Sequence, residues 1–491
     1  MFRRLLIALS ATALLGSARG TLAEETNAWP AWVSERNASG QMQGWQAVGP
    51  LFFKNSIPGN DTYRGFRPLY LRRDDAEGNF AESTFLYPLF IQRQTGQTRT
   101  WSVFNLINHS GPTQAQVGDI EPRSFDVWPF YFSRDTGSAT TSYHALFPVG
   151  GSIQNRFGYD RLSWTLFPLY WRSERAEVVT TSTLWPFIKR SSGGGHHGFA
   201  FWPLFGYAEK PGAYRKQYFL WPLIYKNESL LSDTQPAVKE GFLPFYTRER
   251  QAGMVNVNFL WPFFGYTDRQ APKSYHEVRY LWPLLVQGRG EARYVNRWGP
   301  LYTHSIAKGV DQQWFMWPFI RQQDWADDSV RRVRTQLLYF VYWSEEQSSL
   351  ANPSLPHAEK THFWPLLSVW DNGAGRRQVQ FPSPLEVFFP ANNKVRQLYS
   401  PFFALYRYDR RSPTETRTAL FWNAITWYRT AERREFHLGP LFSSQASADG
   451  QRIALGNGVI GIRRAAGRGG WRLFLFDFSR QSDKSNVSQS R

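Results

Sequence analysis

A short phrase of aromatic, proline, apolar and aromatic residues returns along this chain at a nearly fixed interval, and the interval restricts the folds open to it. It stands as Trp128-Pro129-Phe130, Phe167-Pro168-Leu169-Tyr170, Trp185-Pro186-Phe187, Trp202-Pro203-Leu204-Phe205, Trp221-Pro222-Leu223 and Trp261-Pro262-Phe263-Phe264. It continues as Trp282-Pro283-Leu284, Trp317-Pro318-Phe319 and Trp364-Pro365-Leu366. From Pro129 to Pro318 successive prolines of the phrase lie 17 to 22 residues apart. A period of this size identifies a repeat architecture, in which each unit buries its surface against its neighbours.

Each copy has an apolar centre and a polar end. Charged residues bracket Tyr218-Phe219-Leu220-Trp221-Pro222-Leu223-Ile224-Tyr225, with Arg215 and Lys216 before it and Lys226 and Glu228 after it. A run this short, rich in aromatic residues and carrying a central Pro, reads as extended chain rather than helix. Between runs lie turn clusters such as Glu209-Lys210-Pro211-Gly212 and Gln287-Gly288-Arg289-Gly290. The expectation is an all-β antiparallel meander of about 22 strands, one bent strand per copy, with apolar mid-strand residues covered on both faces. Pro gives up a ladder hydrogen bond, so the alternative is two short strands per copy, meeting at a Pro corner.

Two architectures fit such a meander. One is a large closed β-barrel in an outer membrane, with a structural or transport role and a basic, aromatic-rich surface, where a spanning strand needs about 9 to 11 residues. Trp471 to Phe478 then reads as an aromatic closing strand, although polar residues follow it. The other is a soluble exported β-repeat array or solenoid that binds anionic glycans or envelope polymers. The phrases Gly65-Phe66-Arg67-Pro68-Leu69-Tyr70, Phe85-Leu86-Tyr87-Pro88-Leu89-Phe90 and Leu166-Phe167-Pro168-Leu169-Tyr170-Trp171 resemble uncharacterised bacterial exported proteins built from tandem WPLF- and FPLY-type strands. The resemblance covers most of residues 45–480. It implies the strand repeat and supplies no activity or site.

The start of the chain fits export. Arg3 and Arg4 precede an apolar run from Leu5 to Leu15, and Thr21-Leu22-Ala23 offers a cleavage point, so residues 1–23 read as a signal peptide. Residues 24–44 are a lead segment, 45–480 the repeat domain and 481–491 a polar tail. No Cys occurs in 491 residues, which excludes disulfides and thiolate metal sites. The formal charge of +18 falls to about +15 without Arg3, Arg4 and Arg19. That excess suits outer-membrane lipid, lipopolysaccharide phosphates or anionic glycans as partners. Export argues against nucleic acid. Outer membrane is the expected location, with periplasm or the cell exterior as the alternative.

Motifs for chemistry are sparse. His196 and His197 beside Gly193-Gly194-Gly195 read as a solvated turn, since adjacent side chains on a loop diverge. The paired carboxylates Asp74-Asp75, Asp327-Asp328 and Glu345-Glu346 sit in polar turns and do not face each other across a cleft, so they read as solvated ion pairs. No nucleophile elbow or phosphate-binding loop occurs. No catalytic, cofactor-binding or metal-binding residue is assigned, and the protein is expected not to be an enzyme. The suggestive positions are basic ones just past the apolar centres: Arg172, Lys189, Arg190, Arg248, Arg250 and Arg321. They form a candidate anion-binding rim, with planar guanidinium groups suited to phosphate and carboxylate.

Overall fold

The structure is a computed structural model and describes residues 25–36, 42–56, 61–113, 122–229, 236–467 and 469–477. The expected signal peptide and the polar tail lie outside the described residues. Forty-five strands occur among the described residues, and the ladders between chain neighbours are antiparallel, so the all-β meander is present. Strands run from 4 residues, as in Glu25–Ala28, to 8, as in Val330–Leu337.

The single bent strand per copy is corrected. Each copy supplies two strands joined at the Pro. Around Pro222 the strands are Tyr214–Phe219 and Ile224–Ser229, and the phrase between them is a tight turn closed by Leu223 N–H donating to the Leu220 carbonyl at 2.7 Å. The same closure recurs at Leu184–Phe187 (2.8 Å), Leu281–Leu284 (2.7 Å) and Met316–Phe319 (2.8 Å). The reason is the missing N–H. Inside a ladder Pro would leave a carbonyl unpaired, whereas the inner position of a turn requires no donor. The strand count therefore doubles from the expected 22. The parity of faces changes with it: Phe219 opposes Ile224 on one face and Tyr218 opposes Tyr225 on the other.

The described chain forms two compact units. One comprises residues 88–339. Its strands, from Phe90–Thr95 to Val330–Leu337, pair strictly in sequence. Turns of a meander alternate between the two edges of its sheet, and the repeat contains two strands. All twelve apolar turns in this unit, from Phe104–Leu106 to Met316–Phe319, therefore lie on one edge. The opposite edge carries polar tips such as Gly194-Gly195 and Lys308-Gly309, whose paired positive φ angles (54° and 78°, 51° and 77°) are those of two-residue hairpin turns. The apolar turns are also tied to each other. Trp202 N–H donates to the Phe187 carbonyl at 2.7 Å, and Trp221 N–H to the Pro203 carbonyl at 2.7 Å.

The two faces of this sheet differ. One carries small residues beneath aromatic rings. A Cβ at Gly206 would sit 2.5 Å from the Tyr218 ring, and one at Gly241 would sit 2.5 Å from the Tyr225 ring, so glycine is what lets each ring lie flat on the neighbouring backbone. Ser182, Thr247, Val286 and Thr303 are buried on this face. A tighter core lies among Phe132, Ala145, Ile153, Leu162 and Trp164, with the Trp164 indole N–H donating to the Leu146 carbonyl at 3.1 Å.

The other unit comprises residues 1–87 and 340–491. Its early strands, from Glu25–Ala28 to Phe80–Phe85, lie against late ones. Asn27 Nδ2 donates to the Asn423 carbonyl at 2.8 Å, Asn423 Nδ2 donates to Gln46 Oε1 at 2.9 Å, and Arg417 Nε meets Glu25 Oε2 at 2.9 Å. Among the described residues the meander is interrupted between strands Arg377–Phe381 and Tyr406–Ser412 by the short helical turns Glu386–Phe388, Val395–Tyr399 and Ser400–Phe402. Leu398 from that insert completes a small core with Phe53 and Leu71. Among the described residues the terminal strands Glu25–Ala28 and Arg472–Leu475 each pair with one chain neighbour, and no ladder joins them to close a barrel.

Candidate functional site

The apolar edge of unit 88–339 is the most distinctive surface of that unit. Its turn residues project rather than pack: Trp221 is 47 % exposed and Trp317 57 %. Directly above the turns, on one face, runs a cross-strand row in continuous register: Ile188, Phe201, Phe205, Phe219, Ile224 and Phe242. It resumes as Leu285, Trp298, Tyr302, Phe315 and Ile320. Phe219 and Phe242 are 54 % and 52 % exposed, so the expectation that the apolar centres are covered on both sides is corrected. The expectation passes the apolar run through one strand. The run wraps around a turn instead, which puts its middle at the sheet boundary, where neither neighbouring strand covers it.

Two residues further along the strands the same face becomes mixed and basic. Arg172 opposes Thr181, which opposes Arg190, and Arg248 opposes Glu240, which opposes Lys226. Arg250 lies one more step from the edge, opposite Val238 and Val255. Four of the six expected rim residues thus share the exposed aromatic face. Lys189 and Arg321 lie on the other face, opposite Ser182 and Trp314. The rim is unevenly free. Arg172 is held by Glu174 at 2.9 Å, whereas Lys189, Arg190, Arg248 and Arg250 make no ion pair with a described residue. Arg321 belongs to a polar network: it donates to Gln312 Oε1 at 3.0 Å and lies 5.2 Å from the Trp314 ring, and burial pushes its guanidinium below the usual range.

A second concentration of charge lies inside unit 1–87 and 340–491. A cavity of about 400 Å³ opens between strands Met42–Ala47, Leu367–Asp371 and Tyr406–Ser412 and the helical insert. Nine basic side chains line it against two carboxylates, those of Glu35 and Asp409. Part of this charge is paired. Arg411 and Arg417 hold Glu35, the latter at 3.1 Å, and Arg407 meets Asp409 at 3.0 Å. Burial opposes ionisation of Glu35, but Arg411 and Arg417 outweigh it and bring its pKa down to about 2. Arg67 and Arg396 have no carboxylate partner within ion-pair distance among the described residues. Arg67 is 4 % exposed, lies 3.8 Å from the Phe53 ring centre and donates to the Leu398 and Pro50 carbonyls. Burial, with Arg407 adding, takes its pKa down to about 9. Arg396 lies 3.8 Å from the Trp370 ring centre, and burial with Arg407 takes it down to about 10.

Sequence reasoning missed this cavity, because Arg67 and Arg396 are far apart in the chain and neither stands in an anion-binding motif. The histidine and carboxylate readings need correction as well. His196 is buried at the start of strand His196–Phe201, with Ser191 Oγ 2.6 Å from Nε2 and the Tyr214 hydroxyl 2.7 Å from Nδ1, so it is a core residue and not part of a solvated turn. Asp74 is buried and paired with Arg64 at 3.0 Å and Arg72 at 2.7 Å. Glu345 is also buried, while Asp327 remains a turn residue beside Arg332. No cluster of three or more His, Asp or Glu able to hold a metal occurs among the described residues. No helix among them is long and apolar enough to cross a membrane, which leaves crossing by strands untouched. No protein-family model matches the sequence, and no curated protein matches it.

Proposed function

We propose that this chain is a non-enzymatic structural protein of a bacterial envelope that rests on a lipid surface through the aromatic–proline edge of residues 88–339. The observation that carries this reading is the placement of all twelve apolar turns of that unit on one edge, with an exposed aromatic row directly above them. Trp, Phe and Leu favour the boundary between headgroups and acyl chains, and an interfacial element buries its apolar face about 5–10 Å deep. A turn plus one or two strand residues, at about 3.3 Å per residue, reaches that depth. Strands of 4 to 8 residues fall short of the roughly 9 to 11 that a spanning strand needs, so insertion into one leaflet fits their length better than crossing. Arg190, Arg248 and Arg250 then stand at headgroup height, where phosphates would meet them. Outer-membrane lipid or lipopolysaccharide is the partner this reading names, and the outer membrane the location. Closure into a barrel is its finer form, and the reading needs only the edge.

Flotation of the chain with vesicles containing lipid A tests it. The protein is expected to float with the vesicles and its tryptophan emission to shift to the blue. Replacing Trp202, Trp221, Trp261 and Trp282 together by Ser should abolish most of the flotation while leaving the circular dichroism of the sheet intact. Recovery of the unaltered protein in the lipid-free fraction, with unchanged emission, would sink the reading.

A further inference from the structure

We propose that the arginine-lined cavity of unit 1–87 and 340–491 is a binding site for a phosphorylated sugar. The inference is independent of the lipid-edge reading, since it concerns other residues and another unit. Three observations carry it. The first is charge without pairing. Arg67 is buried, Arg396 has its Nε shielded and unbonded, and neither has a carboxylate within ion-pair distance among the described residues. A guanidinium shielded from water without a bonded counter-ion is costly, and a bound anion removes that cost. Arg377, exposed at the same cavity, adds a further guanidinium.

The second is preorganisation. Stacking on Phe53 and Trp370 fixes the planes of Arg67 and Arg396, and their polar contacts use neutral acceptors only: backbone carbonyls for Arg67, and Gln378 Oε1 (3.2 Å) and Asn393 Oδ1 (3.3 Å) for Arg396. Guanidinium groups held in this way suit the tetrahedral oxygens of a phosphate ester. The third is size and lining. About 400 Å³ exceeds what a lone inorganic anion fills and falls within the range of small-ligand pockets. Trp45 and Trp422 also line the cavity, and aromatic surface there favours a body with apolar ring faces such as a pyranose.

Calorimetric titration of the full chain with glucose 6-phosphate at low ionic strength tests the proposal. Saturable one-site binding is expected, with glucose giving no heat and inorganic phosphate binding at least about tenfold more weakly. Arg396→Gln should weaken glucose 6-phosphate binding by about tenfold or more, and Arg377→Gln, at an exposed position with less bearing on folding, should weaken it measurably. The variant Lys308→Gln, at an exposed tip of the other unit, should bind like the unaltered protein. Vesicles containing lipid A separate the two sources of the ligand. Loss of vesicle binding in Arg396→Gln identifies a lipid-borne sugar phosphate, and unchanged vesicle binding identifies a soluble one. Absence of saturable binding up to about 10 mM, or wild-type affinity in a folded Arg396→Gln protein, overturns the proposal, as does equal loss in the control variant.

Discussion

His362 shows what burial does to a single titratable group in this protein. It lies on strand Ala358–Phe363, 4 % exposed, opposite Ser368 and 5.3 Å from the Trp343 ring, and neither ring nitrogen has a hydrogen-bond partner. Burial, with Lys360 adding, pushes its pKa down to about 4. The unfolded chain therefore binds the proton more tightly than the folded one, so stability is fully present above about pH 6.5 and declines as pH falls towards 4. The loss is at most about 3 kcal/mol by linkage. Glu386, which lines the same small recess with Lys360 and Arg396, acts in the opposite sense. Burial raises its pKa, so its contribution is present at low pH and fades as pH rises. Comparison with His362→Phe isolates the histidine. Urea midpoints followed by tryptophan emission should fall between pH 7 and pH 4.5 in the unaltered protein and fall distinctly less in the variant. Equal slopes in the two proteins would remove this account of His362.

At the scale of elements, the hairpin is the unit that can be added or removed. Within residues 88–339 each strand bonds only to its chain neighbours, as a repeat array requires. Deletion of residues 244–261 removes strands Tyr246–Gln251 and Met254–Phe259 and rejoins Leu243 to Pro262, which recreates an apolar turn. Parity is kept, every later turn stays on its own edge, and the shortened protein is expected to keep its sheet signal in circular dichroism. Deletion of residues 244–252 removes one strand and moves every later apolar turn to the polar edge, so that variant is expected to aggregate. A soluble, folded single-strand deletion together with an unfolded hairpin deletion would reverse this expectation. The turns themselves follow local rules, with Pro where no donor is needed and positive φ at Gly195 and Gly309 on the polar tips.

At the scale of the whole molecule, net positive charge and exposed rings predict two separable components of lipid attachment. The formal charge of +18 attracts anionic headgroups over distances that salt shortens, to about 3 Å at 1 M, while apolar insertion is insensitive to salt or strengthened by it. Flotation with anionic vesicles is expected to weaken several-fold between low salt and about 1 M salt without vanishing. Vesicles of neutral lipid should bind only the salt-resistant fraction. Complete release by salt would leave charge as the sole attachment and remove the role given to the aromatic edge.

The repeat period, the extended character of each copy and the polar tips could all be read along the chain, because hydrophobic period and turn chemistry act over a few residues. So could the basic positions beside the apolar centres. The sequence left open whether a copy is one strand or two, since a central Pro fits a bend as well as a corner, and pairing decided for the corner: a ladder has no use for a residue without an N–H. That choice settles which edge receives the rings and whether they are covered. The arginine cavity was invisible in one dimension for a different reason. Arg67, Arg396 and Arg407 meet only because early strands pack on late ones, and contacts over such separations leave no local signature.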